Sequence, residues 1–388
     1  MLIDLNIRKF LAPEIIFGDG AIELLGRFAL NFGASRVFIV TDSGVVQAGL
    51  LIKAQNSLRD SGIEAVVFDQ VSSNPRDHEV MEAAALYSQS GCDIIIALGG
   101  GSPIDCAKGV SIVSANNRHI LEFQGVDNVE VPGPPLICLP TTAGSSADVS
   151  QFAIITNTAK QVKVAIISKT VVPDLALLDP GLTLSMDRHL TLCTGMDALV
   201  HAIEAYVSSA SSQLTDIHAL EAIRLIHRFL PQVVEHLDDV NLREQMMLAS
   251  LEAGLAFSNA SLGAVHAIAH SLGGLLDLPH GECNTLLLDA VIHCNYAAAA
   301  ERYDRIGAIF GVDVEAIAPR IAAGPSWLPW LPSSGSWALT TGWAGVACAR
   351  AISPNSRPRP WPIPAWSPTR DVCNKSISKQ SWRRLSER

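Results

Sequence analysis

Between residues 14 and 140, short β-branched runs alternate with amphipathic stretches of helical length, and beyond residue 180 the alternation stops. The runs are EIIF (14–17), RVFIV (36–40), EAVVF (64–68), DIIIAL (93–98) and LICLP (136–140). Segments such as VVQAGLLIKAQNSLRDSG (45–62) and EVMEAAALYSQSG (79–91) separate them. Strands joined through helices need crossovers, so this pattern predicts an α/β domain whose mostly parallel sheet is covered on both faces. From Thr183 to about Phe310 the chain is Ala/Leu-rich at helical period with few strand signals, which predicts an all-α unit. The join VVPDLALLDPGLTLS (171–185) carries the Pro and Gly of a boundary. The expected organisation is an α/β domain over 1–182, a helical domain over 183–320 and an atypical tail over 321–388.

The tail differs in composition from everything before it. All seven tryptophans, from Trp327 to Trp382, and nine of the 21 prolines lie there. Its net charge is +7 against −17 for the first 320 residues. Segments such as SRPRPWPIPAWSP (356–368) have neither helical nor strand period. A basic, Pro-rich disordered tail is one reading, but such tails are poor in aromatics. The expectation is out-of-frame translation beginning near residues 318–325.

The whole-chain charge of −10 argues against nucleic acid or an anionic membrane as partner. No uncharged apolar run reaches the roughly 18 residues of a membrane span. MLIDLNIRKF lacks the apolar core of a signal peptide. The eight cysteines form no C-x-x-C pair, so reduced thiols and a cytoplasmic location are expected.

Two groups of residues carry chemistry. In DIIIALGGGSPIDCAKG (93–109) a buried-type strand runs through Gly99, Gly100, Gly101 and Ser102 into a helix opening. Without Cβ atoms the backbone can approach a ligand closely, and the N–H groups of a first helical turn face an anion. This describes a pyrophosphate cradle; the alternative is a tight strand-to-helix turn. Asp42 ends the strand in VFIVTDSG (37–44). Its carboxylate could accept from adenosine ribose hydroxyls and repel a 2′-phosphate, favouring NAD over NADP, or simply cap a turn. Thr141, Thr142 and Ser146 in LPTTAGSSADVS (139–150), and Lys163, could face the same cofactor.

The second group is Asp197, His201, His266 and His280. Asp197 and His201 lie four apart on a predicted helix, as do His266 and His270, so each pair shares a face. His280 follows in LPHGE, where Pro279 and Gly281 suggest a sharp turn aimed back at the helices. Three imidazoles and one carboxylate suit ferrous iron or zinc, with a position left for a substrate oxygen. His218, His227, His236 and His293 read as ordinary surface or core histidines.

GGGSPIDCAK (99–108), PTTAGSSAD (140–148), GMDALVHAIEAY (195–206), VHAIAHSLGG (265–274) and PHGECN (279–284) together resemble the iron-containing alcohol dehydrogenases, in order from about residue 8 to 317. The resemblance implies a dehydroquinate synthase-like fold: an α/β nucleotide-binding domain, an all-α metal-binding domain and an active site between them. It implies Asp197, His201, His266 and His280 as ligands of Fe2+ (or Zn2+), and His270 as a nearby proton relay. Asp42, Asn74 in SSNP, Gly99 to Ser102, Thr141, Thr142 and Lys163 would line the NAD site. The implied activity is reversible hydride transfer between NAD and a short-chain alcohol or diol, in a homo-oligomer. A glycerol dehydrogenase-like enzyme, a maleylacetate reductase-like enzyme and a non-catalytic relative are the alternatives; the full ligand set disfavours the first two.

Overall fold

The structure is a computed structural model and describes residues 8–311 apart from 277 and 279. The tail over 321–388, and the expectation of a frame shift there, lie outside the described residues. In chain order the strands are β1 (Glu14–Phe17), β2 (Arg36–Val40), β3 (Glu64–Phe68), β4 (Ile94–Gly99), β5 (Gly125–Val126), β6 (Leu136–Pro140), β7 (Phe152–Asn157), β8 (Val162–Ile167) and β9 (Leu175–Leu178). The helices are α1 (Leu25–Asn31), α2 (Ser43–Gln47), α3 (Leu50–Asp60), α4 (Asp77–Ser90), α5 (Gly101–Asn116), α6 (Arg188–Val207), α7 (Gln213–Glu235), α8 (Val240–Ala260), α9 (Ala264–Leu276), α10 (His280–Asn295) and α11 (Ala300–Ile309).

Six strands form one parallel sheet in the order β1-β9-β6-β4-β2-β3. From β2 the chain steps outward to β3, then crosses back to place β4 on the other side of β2. The strand order reverses between β2 and β4, and in open α/β sheets ligands bind outside the carboxyl ends at such a point. Asp42 follows β2 and Gly100 follows β4, so the topology brings both to that crevice. β4 is buried along its length, as its run of three isoleucines requires for a strand covered on both faces.

Two parts of this half depart from the sequence expectation. β9 lies inside the Pro/Gly-rich join and pairs with both β1 and β6, so that segment is sheet core rather than linker. β7 and β8 form an antiparallel hairpin, with β5 alongside β8, in a separate small sheet. Its register sets Lys163 opposite Thr156. Lys108 fastens this sheet to the large one: from α5 its buried ammonium donates to the carbonyls of Ser150 and Phe152, both at 2.7 Å. Three donors finding near acceptors make such a buried cation tolerable.

The helical half is organised around α6, which is buried on nearly every face. α7 and α8 pack on it through Leu199, Ile203, Ile226, Leu230, Met246 and Met247. Gly195 lets α7 approach, since a Cβ there would stand 2.5 Å from Leu230 Cδ1. Buried Arg243 ties the start of α8 to that of α6, donating to the Leu237 carbonyl (2.9 Å), Thr191 Oγ1 (2.8 Å) and the Met186 carbonyl (2.9 Å).

Candidate active site

A cleft of about 1330 Å³ runs between the sheet's carboxyl edge and α6, α8, α9 and α10. Asp42, Asn74, Gly100, Gly101, Ser102, Thr141, Thr142 and Lys163 line it, as do Asp197, His201, His266, His270 and His280. Gly101 and Ser102 open α5, where the first N–H groups have no intrahelical acceptor. A Cβ at Gly100 would sit 3.2 Å from Thr142 Oγ1, so the glycine keeps the two loops in contact.

Three expected cofactor residues are placed differently from the rest. Gly99 is not on the cleft wall; its φ of +155° and a Cβ position only 2.5 Å from Pro103 Cγ explain the glycine. Ser146 is buried and turned away, donating to the Ser250 carbonyl at 2.6 Å, where it joins the loop to α8. Asp42 lines the cleft but one oxygen caps α2, accepting from Val45 N–H at 2.9 Å.

The four expected ligands do converge. Asp197, His201 and His266 present donor atoms within 4.8 Å of one another. Around Asp197 Oδ1, the Nε2 atoms of His266, His280 and His201 stand at 3.6, 3.8 and 3.9 Å. Neighbouring ligands on a dication with bonds of about 2.1 Å are ~3.0–3.4 Å apart, so the shell needs to contract by only a few tenths of an ångström. His280 reaches it from the first residue of α10, a helix opening where the sequence suggested a turn.

Asn284 tests whether a cation fits. Its fully buried amide nitrogen is 2.5 Å from Asp197 Oδ1, 3.1 Å from His266 Nε2 and 3.3 Å from His280 Nε2. Lone pairs of Asp197 and His280 meet this NH2, and His266 Nε2 offers a third once it gives up its proton. Among the described residues, Asn284 Oδ1 and His280 Nδ1 find no hydrogen-bond partner although both are buried. Such convergence of acceptors is costly among neutral donors and suits a cation.

Outer contacts orient two of the imidazoles. His266 Nδ1 is 2.7 Å from Glu204 Oε2, and the same carboxylate accepts from the N–H groups of Gly263 (3.0 Å), Val265 (2.7 Å) and His266 (3.4 Å). His201 Nδ1 is 3.2 Å from the Gly144 carbonyl, and its ring stacks between Phe257 (4.3 Å) and His266 (4.5 Å). Burial pushes His201 down to about 4 and His280 down to about 3, leaving both neutral with free lone pairs. Burial opposes protonation of His266 too, but Asp197 and Glu204 raise it to about 9, so a cation would displace that proton. Asp197 stays ionised: burial disfavours its charge, but the imidazoles gathered around it, with His266 carrying the proton, outweigh that. His270 is held neutral by burial and by the cationic groups near it, with its ring stacked 4.9 Å from that of His280.

Glu204, Asn284 and Gly144 are the parts that sequence reasoning missed. A signal existed for two of them. Asp197, His201 and Glu204 fall at i, i+4 and i+7 of one helix, and His280 and Asn284 at i and i+4 of another. Gly144 has none, because its role is a carbonyl. A Cβ on it would lie 2.5 Å from the Thr194 carbonyl oxygen, so Gly144→Ala must push the loop off α6 and away from His201. We expect metal affinity to fall about 10- to 100-fold in this variant, although residue 144 is no ligand. Equilibrium competition with a chelator measures it, and an unchanged affinity would rule out an orienting role for this carbonyl.

The family model for iron-containing alcohol dehydrogenases matches residues 12–180, and the model for the C-terminal part of that family matches residues 191–323. The chain belongs to the iron-containing alcohol dehydrogenase family. It is 39% identical over 317 residues to 1,3-propanediol dehydrogenase of Klebsiella pneumoniae, spanning 81% of this chain and 82% of that protein. It is 37% identical over 314 residues to NAD-dependent methanol dehydrogenase of Bacillus methanolicus, with the same shares. Among solved structures, a 1,3-propanediol oxidoreductase superposes with a TM-score of 0.78 at 37% identity, covering 88% of this chain and 86% of that one. An alcohol dehydrogenase from Oenococcus oeni gives 0.78 at 34% identity, covering 90% and 88%. As an iron-containing alcohol dehydrogenase, the protein is an alcohol or diol oxidoreductase, and the glycerol dehydrogenase-like, maleylacetate reductase-like and non-catalytic readings are not favoured. No described helix of this family member is long and apolar enough to cross a membrane.

Proposed function

We propose that the protein is an NAD-dependent alcohol dehydrogenase that holds one ferrous ion, with zinc as the alternative, and interconverts a primary or short-chain alcohol or diol with its aldehyde or ketone. The reading rests on one cleft lined both by the glycine loop at the start of α5 and by the Asp197, His201, His266 and His280 cluster. The relatives named for propanediol and methanol support the substrate class, and the methanol enzyme's name supports NAD.

Asp197, His201, His266 and His280 hold the ion, which when bound supplies Lewis acidity toward an alcohol oxygen. NAD supplies the hydride acceptor. The chain's own work is mostly placement. The N–H groups of Gly101 and Ser102 hold the pyrophosphate at the helix start. Asn74, Thr141, Thr142 and Lys163 fix the rest of the dinucleotide against the cleft wall. His270, neutral and beside His280, accepts the alcohol proton and hands it toward solvent. Phe257 stacks on the His201 ring and holds its orientation. Among the described residues no two cysteines are joined in a disulfide, which fits the cytoplasm. The active form is taken to be a homo-oligomer, a dimer or larger.

The deciding experiment purifies the chain with iron or zinc, counts metal per chain and follows NADH over a panel of short alcohols, diols and aldehydes. About one ion per chain with NADH formation is expected; a filled metal site without turnover would overturn the proposal. Asp42 bears on the cofactor. Glycine is an adequate helix cap, costing a few tenths of a kcal/mol in place of Asp. Asp42→Gly should therefore leave the fold intact and raise the NADP/NAD ratio of kcat/KM by about tenfold or more. An unchanged ratio would remove Asp42 from the ribose site.

A further inference from the structure

Among the described residues, one cluster of ligand-type side chains lies outside the central site. His189 and Cys193 are one turn apart on α6, and Glu282 stands in the first turn of α10. Their donor atoms lie within 4.8 Å of one another. His189 Nε2 is 3.0 Å from Glu282 Oε1 and 3.7 Å from Cys193 Sγ. On a tetrahedral zinc ion with ordinary bond lengths, nitrogen and oxygen ligands are about 3.3 Å apart, and sulfur and nitrogen about 3.6 Å. The observed separations match both within a few tenths of an ångström, before any ion has drawn the groups together.

We infer that His189, Cys193 and Glu282 form a second divalent-cation site at the rim of the cleft, selective for a thiolate-binding ion such as zinc. The ligand types differ from those inside. A thiolate, an imidazole and a carboxylate favour zinc over magnesium or calcium, whereas the central cluster has no sulfur. Cys193 is buried and His189 exposed, so the sulfur is sheltered while an ion can still enter from solvent. The thiol proton leaves to solvent on binding.

The placement gives the site a consequence. Cys193 is one turn before Asp197 on α6, and Glu282 is two residues after His280 on α10. Gly281 packs directly on the Cys193 backbone, where a Cβ would meet the Cys193 carbonyl oxygen at 2.3 Å. An ion at the rim therefore ties together the two helices that carry Asp197 and His280. His189 and Cys193 also line the cleft, so the ion stands where small molecules pass.

Cobalt reports this site separately from the inner one, because only a sulfur ligand gives an ultraviolet thiolate-to-cobalt charge-transfer band. Full-length protein that already carries its central metal is titrated with cobalt, and bound metal is counted. One further equivalent per chain, accompanied by the charge-transfer band, is expected. Cys193→Ser should abolish both while the central equivalent stays. Glu282→Gln, at a half-exposed position that does not threaten folding, should weaken the second equivalent about 10-fold or more. Saturation at the central equivalent alone, or a band that survives in Cys193→Ser, overturns the inference. The readout does not depend on turnover, so it stands or falls apart from the proposed dehydrogenase activity.

Discussion

Asp197→Ala is expected to empty the central site and to lower turnover by roughly a thousandfold or more, because the proposed chemistry relies on a Lewis acid that three imidazoles alone would hold poorly. Asp197 supplies the only anion in the cluster, and the Nε2 atoms of His201, His266 and His280 gather at 3.6–3.9 Å around one of its oxygens. Without it the Asn284 amide keeps two lone-pair partners, so the fold has a way to relax. Metal analysis beside kcat separates the two effects. A variant that keeps one tightly held ion per chain would show that Asp197 is not a ligand.

Glu204 should give the second large effect, on stability as much as on metal. Its carboxylate is buried, caps the start of α9 through three N–H groups and holds the His266 ring. Glu204→Ala strands all four donors in the interior, and breaking a buried hydrogen-bonded charge of this kind costs about 3–5 kcal/mol. Glu204→Gln keeps the shape and one acceptor, so it should melt closer to the parent. It nevertheless loses the anion that fixes the His266 tautomer, and metal affinity should fall about 10- to 100-fold. Thermal melts of the metal-free proteins and chelator competition read the two quantities. Parental metal affinity in the glutamine variant would reduce Glu204 to a helix cap.

The parallel sheet was legible because strands buried on both faces must be continuous β-branched runs, as in Ile94 to Ile96. β9 was not: LALL has no β-branched residue and is flanked by Pro173 and Pro180, so local chemistry speaks for a boundary while its neighbours β1 and β6 make it a strand. The β7–β8 hairpin carries polar residues, Lys163 among them, because one face looks into the cleft. Asp197 and His201 were legible from i,i+4 spacing, as His266 and His270 were, since a helix converts spacing directly into a shared face, whereas His280 was read from the turn chemistry of LPHGE. Gly99 and Ser146 misled for the opposite reason. At the end of a strand and in a loop, neighbouring residues point different ways, and a run of small residues does not say which of them faces the cleft. Asn284 and Glu204 gain their meaning only from partners 87 and 62 residues away.

In the proposed enzyme the hydrogen bond from His201 to the Gly144 carbonyl would act as a gauge between two reaction partners. Thr141 and Thr142, on the wall where the dinucleotide is proposed to lie, are joined to Gly144 by two or three peptide units. Were a nicotinamide and a metal bound as proposed, their separation would be set by this short covalent link rather than by how far the two halves of the molecule happen to open. Reciprocity would then follow: a cofactor that stiffened this loop would tighten the hold on an ion, and an ion that drew His201 inward would improve the fit of the cofactor by the same factor.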